Sequence, residues 1–87
     1  MHAVVVRVTV SDPEKAQKAL QEEVAPRASQ SPGFRAGYWT RLGNEGLSMV
    51  LFDSEDAARE AAARVPQMVP EFVTLEGVEV REVVAQA

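Results

Sequence analysis

Few side chains in this 87-residue sequence are of types that carry out chemistry, and they are scattered along the chain. The sequence contains a single histidine, His2, and no cysteine. Histidine can act as a general base near neutral pH, but a lone histidine beside the first residue is more typical of a surface position. No two acids have a spacing typical of acid–base catalysis, and no glycine loop is suited to phosphate. The sequence therefore names no catalytic residue.

The only tryptophan, Trp39, is the most informative candidate for a ligand pocket. An indole can stack on a flat apolar or aromatic ligand, and its N–H can orient that ligand. The alternative, which the sequence favours, is packing in a dimer interface or in the core. Tyr38 has the opposite strand parity, so we expect it to pack beneath a helix with its hydroxyl at the edge. Arg7, Arg41 and Arg81 would lie beside Trp39 and could hold an anionic group. The alternative, which is more common for arginines on strands, is pairing with acids such as Glu79.

These side chains must be positioned by strands and helices that the residue pattern predicts. Alternating valines after Met1 predict a strand, and two segments joined by a turn rich in Gly and Asn predict a hairpin. Ser11 or Asp12 is suited to cap a first helix, and Asp53 or Ser54 a second. Pro26 predicts a kink or break in the first helix. The predicted strands are Ala3–Val10, Phe34–Leu42, Leu47–Phe52 and Thr74–Ala85.

The order strand, helix, hairpin, helix, strand predicts a ferredoxin-like βαββαβ domain of the α+β class that spans residues 1–87. Right-handed crossovers give the antiparallel sheet order last, first, third, second strand, with both helices on one face. The opposite face would carry Val5, Trp39 and Val83. An apolar face of this kind usually marks an interface, so we expect a homodimer formed through it.

Composition excludes several classes of partner. The net charge of −4 and the scattered cations argue against nucleic acid. No apolar run approaches the roughly 20 residues that span a bilayer, and the N-terminus lacks the layout of a signal peptide. We therefore expect a cytoplasmic protein that does not bind membranes. Without cysteine, and with one histidine and no dinucleotide motif, we expect no bound metal, flavin or haem.

Two segments resemble a known family. The sequence Pro32-Gly33-Phe34-x-x-Gly37-Tyr38-Trp39 and the later Val50-Leu51-Phe52-Asp53-Ser54-Glu55-x-Ala57-Ala58 are similar to the dimeric α+β-barrel proteins of the antibiotic-biosynthesis-monooxygenase-like group. The resemblance implies two ferredoxin-like subunits packed sheet against sheet, with a cavity between each sheet and its helices. Haem-degrading members ligate iron through a histidine of the second helix region. This chain has only His2.

The function that the resemblance implies is a monooxygenase-like enzyme without a prosthetic group, or a binder of a small apolar or aromatic ligand. The alternative is a non-enzymatic dimerisation or accessory module, since a fold by itself does not decide activity. The candidate pocket residues are Trp39, Tyr38, Arg7, Arg41 and His2.

Overall fold

The computed structural model describes all 87 residues, which form one four-stranded antiparallel sheet with the helices packed on a single face. The elements in chain order are β1 (His2–Val10), α1 (Pro13–Ala19), a π-helical segment (Leu20–Val24), α2 (Ala25–Ser29), β2 (Phe34–Leu42), β3 (Glu45–Phe52), α3 (Glu55–Arg64), a 3₁₀ turn (Val65–Gln67) and β4 (Val73–Glu82). None of the helices combines the length and apolarity that crossing a membrane requires.

The sheet has the order β2-β3-β1-β4, and all three pairs are antiparallel. This order confirms the ferredoxin-like α+β fold predicted from the sequence. The central hairpin turns through Gly43 and Asn44. Gly43 has a φ of +61°, which suits glycine at the first position of a type II′ hairpin turn.

Both helical layers begin at side-chain caps, and the structure decides between the alternatives at each. Asp12 accepts a hydrogen bond from the Lys15 amide at 3.2 Å. Ser54 accepts one from the Ala57 amide, also at 3.2 Å. Each cap satisfies an amide that the first turn of a helix would otherwise leave without a partner.

Of the kink or break predicted at Pro26, the break does not occur. The helix instead widens one turn earlier, in the π-helical segment, where the Ala25 amide donates to the carbonyl of Leu20. Ala25 stays in the right-handed helical region, with φ −63° and ψ −46°, and α2 continues through Pro26. The irregular hydrogen bonding that a proline imposes is thus absorbed by a π-turn without ending the helix.

A bulge near the start of β2 changes which face each of its residues occupies. Phe34 lies opposite Phe52, but Ala36 lies opposite Leu51, so Arg35 is an extra residue in the pair. The bulge reverses the alternation after Phe34. Trp39 therefore lies on the face that carries the helices, opposite Ser48, and the prediction that Trp39 occupies the outer face is wrong.

The fully buried core is small. Only seven of the 87 residues are buried, and they centre on Val4, Val50, Phe52 and Ala58. Phe34 packs edge-on against Phe52 with ring centroids 6.3 Å apart. So small a core means that much apolar surface remains accessible, either in a cavity or on the outer face of the sheet.

Candidate functional site

A cavity of about 180 Å³ separates the sheet from the first helical unit, which we define as α1, the π-helical segment and α2. Nineteen of its 25 lining residues are hydrophobic, so it is suited to an apolar ligand. All four strands contribute to the lining, with residues that include Val4, Val6, Val8, Trp39, Ser48, Val50, Phe52 and Val73. The helical and connector contribution includes Ala16, Ala19, Leu20, Val24, Ala28, Ala61, Arg64, Val65, Met68, Val69 and Phe72.

The cavity exists because the two helical layers approach the sheet differently. Alanines line the sheet side of α3, where Ala58 is completely buried, and small side chains allow close packing on β1, β3 and β4. The first helical unit contacts the sheet mainly where α2 meets β2. The π-helical segment contributes Leu20 and Val24 to the cavity wall. Thus α3 packs directly on the sheet, whereas a space remains between the sheet and the first helical unit.

Trp39 forms part of the cavity wall on β2. Its indole folds back over Gly37, close enough that a Cβ added at residue 37 would lie 2.6 Å from Cη2 and 2.8 Å from Cζ3. The same added Cβ would lie 3.4 Å from the Phe34 ring. Gly37 therefore provides the space that the indole occupies. One part of the ring packs on the strand and on the core cluster, while another part borders the cavity.

The polar groups of the lining are few. Ser48 lies opposite Trp39 and is the polar residue on the helix-facing side of β3. The Ser48 hydroxyl and the Trp39 indole N–H make no hydrogen bond within the chain and are not buried, so both can bond to a ligand or to water. Arg64, in the last turn of α3, is the one charged residue in the lining. It is exposed, which places it at the rim.

The structure does not bring the five predicted pocket residues together. Trp39 lines the cavity, but Tyr38 lies on the outer face opposite Met49 and is 62% exposed, so its predicted position beneath a helix is wrong. Arg7 is also on the outer face, where its guanidinium lies over Gly77 of β4. The prediction that Arg7 lies beside Trp39 is therefore wrong, because the bulge places the two side chains on opposite faces of the sheet.

The other two candidates lie at opposite ends of the sheet and outside the cavity lining. Arg41 is opposite Gly46 beside the hairpin turn and is exposed. His2 is opposite Phe52 at the far end of β3, on the helix-facing side. Arg41 therefore shares a face with Trp39 but does not share its cavity.

The His2 side chain is 21% exposed, so it is half-buried and not on the open surface. Its Nε2 is 4.0 Å from a carboxylate oxygen of Glu55, and its Nδ1 is buried without a hydrogen-bond partner. A hydrogen bond from Arg59 and the charge of Arg59 lower the pKa of Glu55 below its ordinary value of 4.5, with a smaller contribution from the charge of His2. This cluster lies at the first turn of α3, outside the cavity lining.

Sequence reasoning did not single out Ser48 or Arg64. Ser48 could have been found, because it alone is polar on the side of β3 that carries Val50 and Phe52. Met68 and Phe72, in the segment between α3 and β4, also line the cavity. Arg64 carries no such signal, because a cation in the last turn of a helix is common for reasons of helix stability.

Comparison with known proteins shows the fold. No protein-family model matches the sequence, and no curated protein matches it significantly. Among solved structures, the chain is similar to the haem-degrading protein MhuD from Mycobacterium tuberculosis, described with two haems bound in its active site. The two share 22% sequence identity, the match covers 97% of this chain and 98% of MhuD, and the TM-score is 0.55. The resemblance seen in the sequence is thus confirmed at the level of the fold.

Proposed function

We propose that this protein binds a small, flat, apolar or aromatic molecule in the cavity between the sheet and the first helical unit. The observation that carries the proposal is the cavity itself, with an apolar lining and the indole of Trp39 in its wall. An apolar wall provides affinity, and the open indole N–H and Ser48 hydroxyl provide orientation. A non-enzymatic dimerisation module would not require such a cavity, so ligand binding is the better-supported function.

The size of the cavity limits the ligand. An apolar cavity of about 150 Å³ accepts benzene, whereas pockets for drug-sized ligands measure about 300–1,000 Å³. At about 180 Å³, this cavity is near the lower of those values. It therefore suits one aromatic ring with a short substituent.

The similarity to MhuD makes haem the first prosthetic group to consider. Haem iron is held in proteins by His, Cys, Met or Tyr. The lining contains no histidine, cysteine or tyrosine, and Met68 is its one side chain of these types. His2 lies outside the lining, and α3 and the turn after it contain no histidine. The residues of this chain therefore do not fit a histidine-ligated haem.

If the protein is an enzyme, we propose monooxygenase-like chemistry without a prosthetic group. In that case the electrons that reduce O₂ must come from the substrate, so an electron-rich aromatic such as a hydroquinone is the expected class. The lining offers no carboxylate or imidazole to remove a proton. The contribution of the chain would be to bind and orient the ring and to exclude water from it.

The binding proposal can be tested with cinnamyl alcohol, a neutral molecule with one ring and a short planar tail. We expect a measurable heat of binding and a change in the emission of Trp39, the only tryptophan. Ala19→Leu should abolish both, because residue 19 lines the cavity without belonging to the core cluster. Ala63→Leu is the matched control, since Ala63 is exposed and outside the lining.

Two results would contradict the proposal. One is the absence of binding to the wild-type protein at millimolar ligand with a folded circular dichroism spectrum. The other is an equal loss of binding in Ala19→Leu and Ala63→Leu, since that loss would place the ligand outside the cavity. The first result would favour the non-enzymatic dimerisation module, and the second would show that the cavity is not the binding site.

We further propose that the protein is a homodimer formed through the outer face of the sheet. That face exposes large apolar side chains, with Tyr38 62%, Leu47 49% and Met49 44% accessible. Val5 and Leu51 of the neighbouring strand positions are half-buried there. Contiguous apolar surface on a small domain is usually covered by a partner, and a stable interface buries about 1,200–2,000 Å² in total.

Sedimentation velocity at micromolar concentration tests the dimer directly. The expected species has twice the chain mass of 9.5 kDa. A single species of 9.5 kDa at every concentration up to 100 micromolar would refute it.

A further inference from the structure

We infer that the ligand of this cavity is an acid: a flat apolar molecule whose single carboxylate is held by Arg64 at the rim. This inference rests on the proposed function and adds the class of ligand to it. It follows from the charges around the cavity, because the lining contains one cation and no acid. An apolar interior with a lone guanidinium at its edge matches a molecule with an apolar body and an anionic end.

Arg64 has no carboxylate partner within 4.0 Å, which is also true of Arg7, Arg27, Arg35 and Arg41. Arg59, on the same helix, pairs with Glu55, and Arg81 pairs with Glu79. Arg64 differs from the other unpaired cations of the chain because it lies in the cavity lining. Its fork of N–H donors is available to a ligand and is suited to a bidentate carboxylate.

The position of Arg64 along the sheet also agrees with a role in binding the carboxylate of the ligand. α3 starts beside the end of β3 and returns along the sheet for ten residues, a rise of about 14 Å. From Phe52 back to Ser48 the strand covers about 13 Å. The end of α3 is therefore approximately level with Ser48 and Trp39. A ring that borders the indole would have its substituent near the guanidinium or near the Ser48 hydroxyl.

A structural role for Arg64 makes a different prediction. A cation in the last turn of a helix stabilises the helix through its dipole. That role would lower the melting temperature of an Arg64 variant but would not distinguish between two ligands. The discriminating measurement is therefore selectivity between a charged and a neutral ligand of the same shape.

The experiment compares cinnamate with cinnamyl alcohol by calorimetry at pH 7.5. These molecules share the ring and the planar tail and differ in charge. We expect the wild-type protein to bind cinnamate roughly three- to tenfold more tightly, because the ion pair at the rim is partly screened by water. Arg64→Gln should remove the preference, so that cinnamate and cinnamyl alcohol bind with equal affinity; the ratio of the two affinities is the measured quantity. Arg59→Gln, which removes a charge from the same helix outside the lining, should preserve the preference.

Salt provides a second measurement. Raising the ionic strength from about 0.02 to 0.5 M should weaken cinnamate binding and leave cinnamyl alcohol binding nearly constant. Equal wild-type affinities for the two molecules, or a preference retained in Arg64→Gln, would overturn the inference while the proposed function stands. Failure of both molecules to bind the wild-type protein would overturn the inference and the proposed function together.

Discussion

Gly37 is the position at which the arrangement of the cavity wall is most directly testable. An alanine Cβ at residue 37 would lie 2.6 Å from Cη2 and 2.8 Å from Cζ3 of Trp39, both well inside van der Waals contact. Because these atoms are the far end of the indole, we expect the ring to move and the strand to remain in place. The direction open to it is toward the cavity that it borders.

The expected cost of Gly37→Ala is the difference of two terms. Forcing a core side chain from its position costs about 1–3 kcal/mol. Replacing glycine by alanine within a strand gains about 0.5–1 kcal/mol from backbone entropy. The net loss in the free energy of unfolding is then about 0–2.5 kcal/mol. In a domain of this size each kcal/mol lowers the melting temperature by roughly 4–8 °C.

A double-mutant cycle with Trp39→Leu isolates the contact. The smaller side chain removes the two close atoms, so Gly37→Ala in that background should be neutral or slightly stabilising. Urea unfolding followed by far-UV circular dichroism, at one fixed protein concentration, measures all four proteins without using the indole as the reporter. Gly77→Ala is the control glycine, because its nearest neighbour is the flexible end of Arg7. The same cost for Gly37→Ala in both backgrounds would refute the contact as its cause.

Two further perturbations test the outer face and the start of α3. Met49→Lys should shift the protein toward the monomer in sedimentation velocity, because it puts a charge at the centre of the proposed interface. Ala63→Lys, at an exposed position of α3, should leave the sedimentation unchanged. Equal behaviour of the two variants would argue against the interface. Because Arg59 lowers the pKa of Glu55 in the folded protein, the pair stabilises the fold above the ordinary pKa of 4.5 and ceases to do so as the pH falls through the lowered value. Glu55→Gln should therefore lower the melting temperature at pH 7 and have no effect near pH 2. The control variant, Glu60→Gln, should have little effect at either pH. An effect of Glu55→Gln that is independent of pH would contradict the pairing of Glu55 with Arg59.

The sequence was sufficient to predict the order of elements and the sheet topology. Alternating valines in β1, the turn at Gly43 and the caps at Asp12 and Ser54 are local signals, and each is read within a few residues. The crossover rule then leaves one sheet order. The π-turn before Pro26 was not predictable in the same way. Whether a proline breaks a helix or is absorbed depends on what packs against the helix, and the sequence does not state that.

The site was predicted less well, and one residue explains most of the difference. Strand alternation assigns every residue to a face, but a single extra residue at Arg35 reverses that assignment for the rest of β2. Trp39 therefore lies in the cavity wall and not on the outer face, and Tyr38 is exposed and does not lie beneath a helix. The residue types of Gly33–Gly37 do not predict the bulge, because the bulge depends on how β2 pairs with β3.

That reversal also changes what the outer face can do. Without Trp39, the large exposed apolar groups of the outer face are Tyr38, Leu42, Leu47 and Met49. Such side chains suit sheet-on-sheet packing between two copies of the chain. The cavity, on the opposite side, would then remain accessible in a dimer, because the interface would cover none of the helical layer. Ligand binding and dimerisation are therefore separable in this fold, and Met49→Lys should dissociate the subunits without changing the affinity for cinnamyl alcohol. Loss of that affinity in a folded Met49→Lys monomer would instead show that the sheet needs its partner to hold the cavity open.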